Sequence, residues 1–177
     1  MLKKILVPIT LILLIAGCTN MKAVPLGADG YFPTNSTAVV IKAEPVNLAE
    51  FGYRVLVPEG GFTQRMTHNM DIFKEIFTIS DLEHEIIKKD MTETIPSIRE
   101  MIGINRAAKE LKPFVWLQWS YRVDRRNEFL ILKLVDAVTM EDIFIAETMI
   151  NQFNGVSDQA NRYPQFNALM DHLRAHN

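Results

Sequence analysis

FVWLQWSYRV, residues 114–123, decides how this chain folds. Val115, Leu117, Trp119, Tyr121 and Val123 alternate with Phe114, Trp116, Gln118, Ser120 and Arg122. A period of two is that of a β-strand, whose successive side chains point to opposite faces of a sheet. The first set is apolar throughout and belongs in a core. The second grades from aromatic to charged and is only partly covered. Downstream, DRRNE at 124–128 turns the chain into a strand at 129–135, and DAVTMED at 136–142 turns it into another at 143–148. Three strands joined by short turns form an antiparallel meander.

Working outward, TAVVIKA at 37–43 and GYRVLV at 52–57 have the β-branched content of strands, closed by Pro45 and by Pro58 with Gly60-Gly61. Met66, Met70 and Phe73 recur at helical spacing over 63–74. A short strand at 76–79 leads into a helix containing Leu82, Ile86 and Ile87, capped by Ser80 or Asp81. A further helix over 95–111 has Pro96 in its first turn. Its inward face is Ile98, Met101, Ile102, Asn105 and Ala108, and Arg99, Arg106, Lys109 and Glu110 form the polar one. Residues 164–172 form a last helix with Phe166, Leu169, Met170 and Leu173 inward. The order β-β-α-β-α-α-β-β-β-α implies an α+β (or α/β) sandwich. Its mixed sheet ends in the antiparallel three-stranded meander, with helices mainly on one face.

The N-terminus has a different character. MLKK is followed by an uncharged, almost wholly apolar run from Ile5 to Ala16. A spanning helix needs about 20 such residues, so this run reads as a signal peptide. It ends in Ile15-Ala16-Gly17-Cys18, which resembles the lipobox of bacterial lipoproteins, and Cys18 is the chain's single cysteine. That resemblance implies cleavage between Gly17 and Cys18 and a lipid on the Cys18 thiol. Thr19 follows where an aspartate would favour inner-membrane retention. The expected location is therefore the periplasmic face of the outer membrane, with the inner membrane or the cell surface as alternatives. Residues 1–17 are the signal, 18–36 a lipidated cysteine and flexible tether rich in Pro, Gly and polar residues, and 37–177 one globular domain. Tyr31 and Phe32 are apolar exceptions in the tether that dock on the domain.

The full chain of 177 residues carries 19 basic and 21 acidic side chains. Loss of residues 1–17 removes Lys3 and Lys4 and no acidic residue, leaving 17 basic against 21 acidic. A mildly acidic protein with no basic stripe is not a nucleic-acid binder. Candidate chemistry is sparse. Glu83-His84-Glu85 has lysine at 88 where a zinc-protease motif needs a second histidine, and it reads as a solvated helix face. No serine sits in a nucleophile elbow. Glu59-Gly60-Gly61 lacks the lysine and spacing of a phosphate-binding loop, and reads as a strand-to-helix turn. Asp136 with Glu141-Asp142 lacks calcium-ligand spacing. No cofactor or metal is expected. Phe114 and Trp116, on the less apolar strand face, are either covered by helices or form a patch for a partner.

AAKELKPFVWLQWSYRV, then FLILKLVDAVTMEDIFIAET, is similar to a group of bacterial envelope lipoproteins. The group includes the penicillin-binding-protein activator LpoB, the curli secretion protein CsgG in its non-membrane domain, and the exopolysaccharide-export lipoprotein PelC. Leu134-Val135-Asp136 and Thr139 match the end of a strand and its turn, and FKEIFTISDLEHEII at 73–87 resembles their strand-into-helix segment. The resemblance spans roughly residues 50–150. Met140 or Glu141 stands where the hairpin glycine is usual, and Lys112-Pro113 where the glycine after the preceding helix is usual. The group offers no catalytic residues to carry over. The resemblance implies non-catalytic work on an envelope machine: assembling it, activating it or lining it, sometimes as a ring. The expected partners are the membrane, through the lipid on Cys18, and an envelope protein or a second copy. The competing readings are an envelope hydrolase using Glu83, His84, Glu85 or Asp136, and a glycan or small-molecule binder using Phe114 and Trp116.

Overall fold

The computed structural model describes residues 23–176, apart from 96 and 152–154. The signal peptide, Gly17, Cys18, the first residues of the tether and Pro96 lie outside the described residues. Six strands and four α-helices follow one another as β1 (Val39–Ala43), β2 (Arg54–Leu56), α1 (Phe62–Asn69), β3 (Glu75–Phe77), α2 (Ile79–Lys88), α3 (Met101–Glu110), β4 (Val115–Asp124), β5 (Asn127–Asp136), β6 (Asp142–Ile150) and α4 (Tyr163–His176). This is the order read from the sequence. A short 3-10 helix, Leu48–Phe51, and a π-helical turn, Asp158–Arg162, were not legible in the pattern.

The strands form one mixed sheet in the order β1-β6-β5-β4-β2-β3. β4, β5 and β6 are the expected meander, β1 adds antiparallel to β6, and β2 and β3 run parallel to β4. The pairing of β1 is interrupted by a bulge between Val40 and Lys42. The two faces of β4 separate as the alternation requires. Val115 and Leu117 join Val55, Phe62, Met66, Phe144, Phe166 and Leu169 in one cluster, with Trp119 packed at its margin. Phe114 joins Leu56, Phe77, Leu82, Ile86, Ile104 and Ala107 in the other, with Trp116 packed against it. The α+β class holds. The helices divide between the faces, α1 and α4 over the first and α2 and α3 over the second, where the sequence pattern puts them mainly on one.

Local chemistry sets the boundaries. α1 ends at Asn69, short of the expected 74, because Asp71 takes a left-handed φ of 54° and Lys74 donates its N–H to Tyr53 O in the approach to β3. α2 starts at a capping box. Thr78 Oγ1 accepts the Asp81 N–H and Asp81 Oδ2 accepts the Thr78 N–H, so Thr78 and not Ser80 or Asp81 is the N-cap. α3 begins at Met101 rather than near 95, and its buried stripe is Gly103, Ile104, Ala107 and Ala108. Met101 and Ile102, expected inward, are 61% and 68% exposed. The cause is the segment at 97–98, whose backbone lies directly on Gly103 and fixes which side of the helix faces inward.

The expected flexible tether, 18–36, is corrected where it is described, from 23 onward, while Tyr31 and Phe32 dock on the domain as expected. From Ala23 onward the segment is a strap laid against the domain. Ala23, Val24 and Leu26 pack on the first cluster, and Phe32 is 1% exposed between the rings of Tyr163 and Phe166. Asn167 fastens Phe32 twice, its Oδ1 accepting the Phe32 N–H at 2.8 Å and its Nδ2 donating to Phe32 O at 2.9 Å. Tyr31 donates its hydroxyl proton to Asp171, Thr34 and Ser36 donate theirs to the carbonyls of Gln159 and Ala160, and Asn69 Nδ2 donates to Val24 O.

Candidate functional site

The acidic residues singled out in the sequence do not converge. On α2, Glu83 pairs with Arg99 at 3.2 Å, Glu85 with Lys89 at 2.8 Å and with Arg54 at 3.4 Å, and the His84 ring nitrogen lies 3.2 Å from Ser80 O. Asp136 is a turn residue: its Oδ1 accepts the N–H groups of Val138 and Thr139. Asp142 pairs with Lys133 at 2.9 Å. Glu59 accepts the Ser80 N–H at 2.9 Å, so its carboxylate supplements the cap of α2 and is held below its usual pKa by that bond. Among the described residues no three His, Cys, Asp or Glu side chains are grouped to hold a metal ion.

Phe114 and Trp116 are not a free surface. Phe114 is fully buried, edge-on to Phe77 at 5.2 Å, because α2 and α3 close over this end of the sheet. Trp116 is half-buried beside them. The sequence also concealed Arg54. It reads as the polar member of a strand, yet it is 4% exposed and lies over the Phe77 ring at 4.9 Å. It grips Glu75 with two bonds of 2.8 and 2.9 Å, which hold the Glu75 carboxyl below its usual range, and donates to Lys112 O. This arginine ties β2 to β3, to α2 and to the lead-in of β4.

Among the described residues the second face of the meander is partly exposed beyond α2 and α3, with Ile131 and Glu147 on it each 9% exposed. The register aligns Gln118, Ser120 and Arg122 of β4 with Lys133, Ile131 and Phe129 of β5, and these with Ile145, Glu147 and Met149 of β6. Val39 of β1 follows beside Glu147. None of these residues belongs to either core cluster. Towards the hairpin end Arg122 lies over the Phe129 ring at 4.2 Å and reaches across β5 to Glu147 at 2.8 Å. Met149 and Val39 are 60% and 59% exposed around this pair. Tyr121 and Val123, expected in the core, are 64% and 69% exposed on the opposite side of the β4–β5 hairpin. The result is a sheet surface with exposed apolar side chains beside one ion pair. Alternation in β4 foretold a half-covered face. The ion pair across three strands carries no local signal.

No family pattern and no curated protein sequence matches the chain. Among solved structures it is similar to the LpoB C-terminal domain from Salmonella enterica, at 12% identity and a TM-score of 0.35 over 63% of this chain and 86% of that one. It is also similar to the LpoB C-terminal domain from Escherichia coli, at 12% identity and a TM-score of 0.34 over 56% and 83%. A third is lipoprotein GNA1162 from Neisseria meningitidis, at 12% identity and a TM-score of 0.27 over 69% and 92%. These neighbours are distant in geometry as in sequence, and the functional reading rests on the chain's own residues.

Proposed function

We propose that this protein is a non-catalytic, lipid-anchored envelope protein that binds another envelope protein through the open face of its meander. The lipid sits on Cys18 after cleavage at Gly17, and the domain stands on the periplasmic face of the outer membrane. The observation that supports the binding role is the open face itself. Arg122, Phe129 and Glu147 form one linked group, and Met149 and Val39 offer apolar contact beside it. Exposed apolar side chains beside an aromatic ring and an arginine are of the kinds enriched in protein-binding patches. The function is then that of a scaffold, an activator or a secretion accessory.

The test is crosslinking in cells with a photoreactive amino acid at Met149, and at Lys88 at the end of α2, outside the patch, as a control. A discrete crosslinked species from 149 and none from 88 is the expected result. Equal or absent crosslinking from both overturns the patch. Light scattering of the purified protein shows whether the crosslinked species is a second copy. Cys18→Ser is expected to leave an uncleaved or soluble form. Unchanged membrane fractionation and unchanged mass would refute the anchor.

A further inference from the structure

The strap turns the anchor into a short leash with a direction. This inference rests on the lipid at Cys18 proposed above. Among the described residues the strap is docked from Ala23, five residues after Cys18. Whatever its conformation, a chain of five residues spans at most about 18 Å. The point where it meets the domain is set by Val24, whose carbonyl accepts from Asn69 at the C-terminal end of α1. β2 and β4 run parallel, with Val55 beside Val115, and α1 runs back from the end of β2 to the start of β3. Asn69 therefore lies at the end of the sheet where β4 begins. The β4–β5 turn, between Asp124 and Asn127, is at the opposite end. Gly30, bonded by Arg174 near the end of α4, belongs to the same lower end as Asn69.

We propose that the domain stands end-on at the lipid surface. The C-terminal ends of α1 and α4 face the headgroups, and the β4–β5 hairpin points away from the membrane. Ten residues of β4 span about 30 Å, so the hairpin tip stands off the bilayer by more than the leash can reach. The surface partner is the bilayer that carries the anchor. The open face of the meander, lying along the strands, is presented side-on to the aqueous space. A longer leash would allow the domain to turn over. A strap fastened by Phe32, Asn167 and Asn69 does not.

The experiment uses the full-length precursor, expressed in cells and reconstituted in vesicles of phosphatidylethanolamine and phosphatidylglycerol. The mass of its N-terminal peptide is read first. Absence of lipid overturns the anchor and not the leash, and Cys18 is then coupled to a maleimide lipid so that the second measurement proceeds. An azide-bearing amino acid at position 112 in one sample and 127 in another takes a donor dye, and the headgroups carry the acceptor. Energy transfer is expected to be roughly twofold or more greater at 112, given the strand length between the two sites. Inserting thirty Gly/Ser residues after Met21 adds a coil of about 30 Å and is expected to equalise the two. Equal transfer at 112 and 127 in the unmodified chain overturns the proposal, and so does a difference that survives the insertion.

Discussion

Replacing Gly103 with alanine adds one methyl group to α3, and the structure leaves no room for it. The new Cβ would stand 1.6 Å from Ser97 O, 2.3 Å from Ser97 C and 2.8 Å from Ile98 N. All three are backbone atoms, so no side-chain rotation relieves the contact. Either α3 or the 97–98 segment must retreat by about 1.5 Å to reach a tolerable separation, in an interior packed like an organic crystal. Ile98 and Ile104, 4% and 2% exposed, sit on the two sides of that seam. Alanine improves helix propensity by about 1 kcal/mol over glycine. Against that stand overpacking strain of about 1–3 kcal/mol and part of the burial of two isoleucines, each worth about 1.5–3 kcal/mol when complete. The net expectation is a loss of about 2–4 kcal/mol. Urea unfolding followed by tryptophan fluorescence measures it, since Trp116 packs on the cluster that opens. The midpoint should fall with the slope unchanged. A variant as stable as the parent, or one that gains the propensity term, would refute the close packing of 97–98 on α3.

Met140 holds φ at 64° in the β5–β6 turn, a conformation that disfavours side chains by about 1–2 kcal/mol, so Met140→Gly should stabilise by about 0.5–1 kcal/mol after the extra freedom of the unfolded chain; a lower melting temperature would contradict this. Arg54→Ala strips Glu75 and Glu85 of a buried partner and should cost about 2–3 kcal/mol, with Glu75 returning to its usual pKa in a carboxylate NMR titration. Because Glu75 is depressed in the folded state, its contribution is present above the unfolded pKa and fades as pH falls through the folded one. His172 is 7% exposed, stacked on Phe144 at 5.2 Å with Nε2 lacking a hydrogen-bond partner, and burial lowers its pKa from 6.5. The unfolded chain takes up its proton first as pH falls, so stability should decline below about pH 6.5, and His172→Leu should flatten that limb of the urea midpoint against pH.

The element order was legible because strand and helix periods differ, and because the turns at 124–128 and 136–142 are polar. The faces of β4 were legible for the same reason as far as Trp119, which donates from Nε1 to Thr63 Oγ1, while Tyr121 and Val123, expected in the core, are exposed. Three things were hidden. The face of α3 depends on a backbone contact at Gly103, and an amphipathic pattern counts side chains only. The strap has the Pro, Gly and polar content of a linker, yet Asn167 and Asp171, more than a hundred residues away, supply its partners. Arg54 and the Arg122–Glu147 pair are non-local for the same reason. Within the candidate site, the half-covered face could be read from alternation, while the depth of Phe114 depends on where α2 and α3 cross.

The pairing of the chain's beginning with its end also sets a folding order. β1 finds its place beside β6, with Val39 opposite Glu147, and Phe32 of the strap finds its place against α4, fastened to Asn167. Such distant contacts require closure of almost the whole chain before they contribute, which slows folding and leaves a hydrophobic segment waiting. The exposed Val39, Val40 and Ile41 of that segment are the residues most available to wrong neighbours in the interval. A chain halted before α4 would hold its strap unfastened, a substrate for chaperones and proteases even with the meander complete and β1 paired.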